Sequence, residues 1–87
     1  MNFENMLSSL KVDLGITSTA YDSRLTHFME AAYNEIQREG VTLSAESLDD
    51  QNLVIMYAAW MWNKRESGEG IPRMIRWQIN NRLFSEV

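Results

Sequence analysis

The stretch Leu53-Val-Ile-Met-Tyr-Ala-Ala-Trp-Met-Trp62 decides the fold, because none of its ten residues offers water a charged or amide face. A membrane-spanning helix needs about twenty such residues, so the segment belongs inside a protein. Asp49 and Asp50 precede it, and Lys64 and Arg65 follow. That order matches the positive and negative ends of a helix dipole. Successive helical residues turn by about 100°, so Trp60 and Trp62 diverge by about 200° and leave on opposite sides. A helix that is apolar all round is normally buried all round. One tryptophan is expected to sit with Leu53, Met56 and Tyr57 against a neighbouring helix. The far side needs other cover: a central position in the fold would supply it, and so would a neighbouring subunit. With only three further helices in 87 residues, one of them short, the expectation here is partial cover by a partner.

Moving outward, the only proline is Pro72, and the glycines fall at 15, 40, 68 and 70, as punctuation between helices. Upstream, Leu25, Phe28, Met29, Ala32, Tyr33 and Ile36 follow helical i, i+3, i+4, i+7 spacing. Thr19 and Asp22 have the separation of a capping box at its start, and Gly40 ends it. Phe3, Met6, Leu7, Leu10 and Leu14 form a shorter stripe, stopped by Gly15. Residues 41–47 read as a connector with slight extended character at Val41-Thr-Leu43, and the third helix begins at Ser47. Downstream, after the loop ESGEG, Ile71-Pro72 opens a last helix with proline in its first turn. Its stripe is Ile71, Ile75, Ile79 and Leu83, widened by Met74. The fold class is therefore all-α: one domain, a compact bundle of about four helices over 3–14, 20–39, 48–65 and 72–84.

Composition narrows the function. There is no cysteine, so disulfides and thiolate metal sites are out. The start, MNFENMLSSL, lacks the cationic and apolar blocks of a secretory signal. His27 is the single histidine, at the edge of the apolar stripe of helix two, and reads as a partly buried structural residue. Asp49-Asp50 and Glu66/Glu69 read as helix-end and loop charges rather than metal ligands. No phosphate-binding glycine loop or nucleophile motif is present. Neither an enzyme, a cofactor nor a metal is expected.

The net charge of −4 argues against a general nucleic-acid binder. Residues 1–63 carry three cations and nine acids, whereas residues 64–87 carry five cations and three acids. Helix four thus concentrates positive charge. Away from its isoleucine stripe lie Arg73, Trp77, Asn80, Asn81 and Phe84, with Arg76 nearby. Trp and Arg are favoured at interface hot spots. A Trp77 lying flat across another helix is the alternative. The interface candidates are Trp60, Met61 and Trp62 on helix three, and Arg73, Arg76, Trp77, Asn80, Asn81 and Phe84 on helix four.

The order of segments also resembles a known family. A first helix ending in LKVDLGIT leads to YDSRLTHFMEAAYNEIQREG, then to LVIMYAAWMWNKRESGEGIPRMIRWQINNRL. This is similar to the small head–tail connector proteins (adaptor or head-completion proteins) of tailed bacteriophages. Leu10-Lys11, Leu14, Ile16, Asp22, Leu25, Met29, Ala32, Trp60, Trp62, Ile71 and Pro72 stand where that family's pattern places such residues. The resemblance covers nearly the whole chain. Longer members often carry a C-terminal extension that grips neighbouring components; this sequence departs from that pattern, ending soon after helix four at Phe84-Ser-Glu-Val87.

The resemblance implies a ring of identical subunits, twelve-fold in the family, beneath the portal protein at the capsid vertex. It implies a virion protein made in the host bacterial cytoplasm, with no membrane partner. The ring extends the channel for genomic DNA after packaging and offers a docking surface to a stopper or tail-completion protein. Ring contacts are heterologous, so each subunit needs two different adhesive faces. The two sets of candidates are those faces. An acidic body suits a channel through which DNA slides without sequence-specific binding. Two alternatives stand beside this: a small nucleic-acid-binding module using basic helix 72–84, and a phage-encoded helical regulator of a host protein.

Overall fold

The computed structural model describes residues 1–67 and 71–85, and the side chains of residues 1–64 and 71–84. Gly68, Glu69, Gly70, the side chain of Glu66 and the chain beyond Ser85 lie outside the described residues, and with them much of the ESGEG loop. Among the described residues four helices run in order: α1 (Phe3–Leu14), α2 (Asp22–Arg38), α3 (Leu48–Ser67) and α4 (Arg73–Ser85). Among the described residues there is no strand, so the fold is an all-α bundle of about four helices.

Each boundary has a local cause. At the start of α1 the Asn2 side chain accepts from the backbone N–H groups of Glu4 and Asn5, satisfying donors that the first turn leaves open. Gly15 closes it at φ 71°. Its N–H bonds to Val12 O while that of Ile16 reaches Lys11 O, the two-bond Schellman ending.

The start of α2 corrects the sequence reading. Thr19 supplies no side-chain cap; Tyr21 is the cap residue, without a side-chain bond to the backbone, and the helix begins at Asp22 rather than at residue 20. The Asp22 carboxylate is drawn instead to Lys11 Nζ, 2.9 Å away on α1. A charged partner on another helix outbids the capping geometry. In α3, by contrast, Ser47 does cap: its Oγ accepts from the N–H of Asp50.

The core explains why α3 needs no polar face along most of its length. α1, α2 and α4 all pack on α3, and α1 also packs on α2. Leu53, Val54, Ile55, Tyr57 and Ala58 are buried by the chain alone, so for these five residues the cover comes from within. Met6 and Leu10 meet them from α1, Leu25, Met29, Ala32 and Ile36 from α2, and Ile75 and Ile79 from α4. Val41 and Leu43 of the connector are buried as well. The segment is loop rather than strand, and its two apolar side chains belong to the core cluster.

Two further expectations are corrected. His27 is exposed, not partly buried: it lies two positions, about 200°, from the core residue Leu25. Met74 does not widen the buried stripe of α4, because the side chain points outward and is 64% exposed.

Candidate interaction surface

α4 is a helix with two different faces. Ile75 and Ile79 are buried and Ile71 and Leu83 partly so, four residues apart along one side as a 3.6-residue helix requires. The opposite side carries Met74, Trp77 and Phe84, 64%, 62% and 78% exposed. Trp77 therefore does not lie flat across another helix. A shallow depression beside it is lined by Arg73, Met74, Trp77 and Gln78.

The inner face is fixed by charge as well as packing. The Arg76 guanidinium pairs with Glu39 at the end of α2. Arg82 Nε donates to Asp50 Oδ1 at 2.9 Å, with the two side chains only 19% and 16% exposed. Arg82 Nη1 also donates to Gln78 O within α4. So Arg76 and Arg82, two of the cations that give this helix its basic character, are committed to carboxylates of the same chain. Gly40 lets the end of α2 approach α4 closely: a Cβ there would stand 3.3 Å from Leu83 Cδ2.

On α3, Trp60, Met61 and Trp62 are half-buried. The two tryptophans diverge, yet each finds an aromatic neighbour inside the chain. Trp62 meets Tyr21 and Phe28 edge-on, at centroid distances of 5.6 and 5.7 Å. Trp60 meets Tyr57 at 5.5 Å, and Lys64 Nζ lies 4.7 Å from its ring centre, within cation–π range. Each indole thus has an aromatic contact within the chain and keeps part of its surface open to solvent. A shallow groove does remain beside Trp60, with Ala31, Glu35, Tyr57, Met61 and Lys64 on its walls. Burial raises the pKa of the Tyr57 phenol, and the nearby Glu35 and Glu39 carboxylates add to this against the opposing charge of Arg76.

Of the sequence candidates, Arg73, Trp77, Asn81 and Phe84 share an exposed position on α4, while Arg76 and Asn80 are half-buried. Sequence reasoning missed Met74, although its spacing to Trp77, Asn81 and Phe84 carried the signal. Among the described residues no group of three His, Asp or Glu converges in a way that could hold a metal ion. No helix of the described residues is long and apolar enough to cross a membrane. Comparison with protein-family models, with curated proteins and with solved structures gave no match.

Proposed function

We propose that this chain is a structural assembly subunit, and that the assembly is the head–tail connector ring of a tailed bacteriophage. The observation that supports an assembly role is the line of Met74, Trp77 and Phe84 on the outer face of α4. Large apolar side chains set in a row on one helix are costly to leave in water and mark contact surfaces. Here they cannot turn inward, because Ile75, Ile79, Arg76 and Arg82 already anchor the other face. The identity of the assembly rests on the order and spacing of the helix motifs that resemble the connector family. In that reading the subunit sits beneath the portal, and the α4 strip is one adhesive face. The half-buried Trp60–Met61 edge of α3 is the second candidate.

The nucleic-acid alternative is weaker for a specific reason. A recognition helix presents its arginines outward to bases and phosphates, whereas Arg76 and Arg82 are held by Glu39 and Asp50. The test is co-sedimentation of the purified chain with its cognate portal, alongside a Trp77→Glu variant. Binding that the variant loses while keeping its helical circular dichroism is the expected result. A chain that never associates with the portal overturns the connector reading. Salt-sensitive duplex binding at sub-micromolar concentration would move the function to nucleic acid.

A further inference from the structure

The exposed face of α4 has a more specific spacing than a random apolar patch. Positions 74, 77, 81 and 84 step by three, four and three residues. That is the seam of two helices packed side by side, with its period of about 3.5 residues. Met74, Trp77, Asn81 and Phe84 are all exposed, while Ile75 and Ile79 of the same helix face the core. The helix thus has one seam filled by its own chain and a second one open. We propose that the second seam is filled by another copy of this chain, α4 against α4 in antiparallel orientation, so that the free protein is a two-fold dimer.

The pattern fits its own reverse. Positions 74 and 84, and positions 77 and 81, are symmetric about residue 79. A reversed helix therefore lays Met74 on Phe84 of the partner subunit and Trp77 on Asn81 of the partner subunit. The second pairing also satisfies polar atoms, since the indole N–H can donate to the Asn81 amide oxygen and the contact occurs twice. Antiparallel helix pairs bring the two kinds of seam position together in this way, whereas parallel pairs match like with like.

Charge decides between the orientations. Residues 71–85 contain Arg73, Arg76 and Arg82 and no acid, so two such helices would ordinarily repel. Arg76 and Arg82 are turned away and neutralised by Glu39 and Asp50, which leaves Arg73 beside the seam. Parallel pairing sets the two Arg73 side chains together. Antiparallel pairing separates them by roughly 18 Å at about 1.5 Å of rise per residue, beyond the screening length of about 8 Å. Each then lies near the carbonyl end of the opposing helix, where a cation is stabilised. The pairing does not rest on the connector reading. A portal that used the same strip would have to displace the second copy.

The chain lacks cysteine, so single introduced cysteines report the geometry. Sedimentation equilibrium of the full chain should give a reversible monomer–dimer equilibrium. Trp77→Ser should raise the dimer Kd by roughly thirtyfold, the size of a hot-spot loss, with unchanged helical circular dichroism. In a mixture of Met74→Cys and Phe84→Cys chains, oxidation should join one variant to the other, and Met74→Cys alone should not cross-link. A monomer at every concentration overturns the proposal, as for a seam kept for a different protein. So do a closed oligomer larger than two, a dimer indifferent to Trp77→Ser, or Met74→Cys joined to itself. No portal is present in these samples, so a negative result here leaves the connector reading to its own test.

Discussion

Arg82 on the last turns of α4 donates to Asp50 in the first turn of α3, Nε to Oδ1 at 2.9 Å. The other carboxylate oxygen of Asp50 accepts the backbone N–H of Ser44 at 2.8 Å. One carboxylate thus joins three parts of the chain: the C-terminal helix, the start of the central helix and the connector before it. It also sits where the α3 dipole favours negative charge.

Replacing Asp50 with alanine takes the carboxylate partner from the largely buried Arg82 and frees the Ser44 N–H. The expected loss is about 2–3 kcal/mol, because a largely buried guanidinium that loses its carboxylate costs more than a neutral hydrogen bond. Arg82→Met should cost less, since it removes the charge and keeps an apolar stem. Urea denaturation of both single variants and the double variant gives the coupling directly. A coupling near zero would show that the pair is ornamental.

Gly40 and Gly15 test two different constraints. Both have positive φ, 102° and 71°, which an L side chain adopts only with strain. A Cβ at Gly15 would meet nothing within 4 Å, but at Gly40 it would press on Leu83 of α4. Gly15→Ala should therefore cost about 1 kcal/mol, from the backbone alone. Gly40→Ala should cost more, and made in a Leu83→Ala background its cost should shrink by the contact part alone. Thermal unfolding of these variants checks the order. Equal losses at both glycines would remove the close approach of α2 to α4 from the account.

Leu43→Ala offers a contrast with Leu48→Ala five residues later. Leu43 is buried in the core while Leu48 is 73% exposed. The first change should cost about 2–4 kcal/mol through lost burial and a cavity, and the second within about 0.5 kcal/mol, as for most surface substitutions. Chemical denaturation measures both. If the two losses were alike, the connector would not be part of the core.

That pair also marks the limit of what the sequence revealed. The stripes of α1 and α2, the isoleucines of α4 and the all-round apolar α3 were legible because a 3.6-residue period repeats over several turns. Val41 and Leu43 were not, since a seven-residue connector is too short for any period to show. The exposed Trp77–Phe84 line could be foreseen, but Met74 could not be assigned by adjacency to Ile75; it needed the three–four–three spacing. The ion pairs were out of reach for another reason. Glu39 and Arg76 lie 37 residues apart, and Asp50 and Arg82 lie 32 apart. No local pattern selects such partners from among the other charges. Sequence reasoning therefore read helix four as a basic surface, while its fold spends two of those charges internally.

Tyr57 makes the stability of this fold sensitive to alkali. Its phenol is buried beneath Trp60 and close to the carboxylates of Glu35 and Glu39, and its pKa is raised above the usual 10.0, by burial first and by those charges second. In the unfolded chain the phenol ionises near its ordinary value, so above that pH the unfolded state releases a proton that the folded state retains. The stabilising contribution is then complete below about pH 10 and declines as the pH rises towards the folded-state pKa. Melting temperature should fall with pH in that range, and Tyr57→Phe should flatten the fall, because no phenol remains to ionise there. Tyrosinate absorbance gives an independent readout: the difference between the parent chain and Tyr57→Phe should show a phenol that ionises above the usual value. An unchanged alkaline slope in Tyr57→Phe would overturn this account, and would separate the burial of this ring from the alkaline stability of the α2–α3 contact.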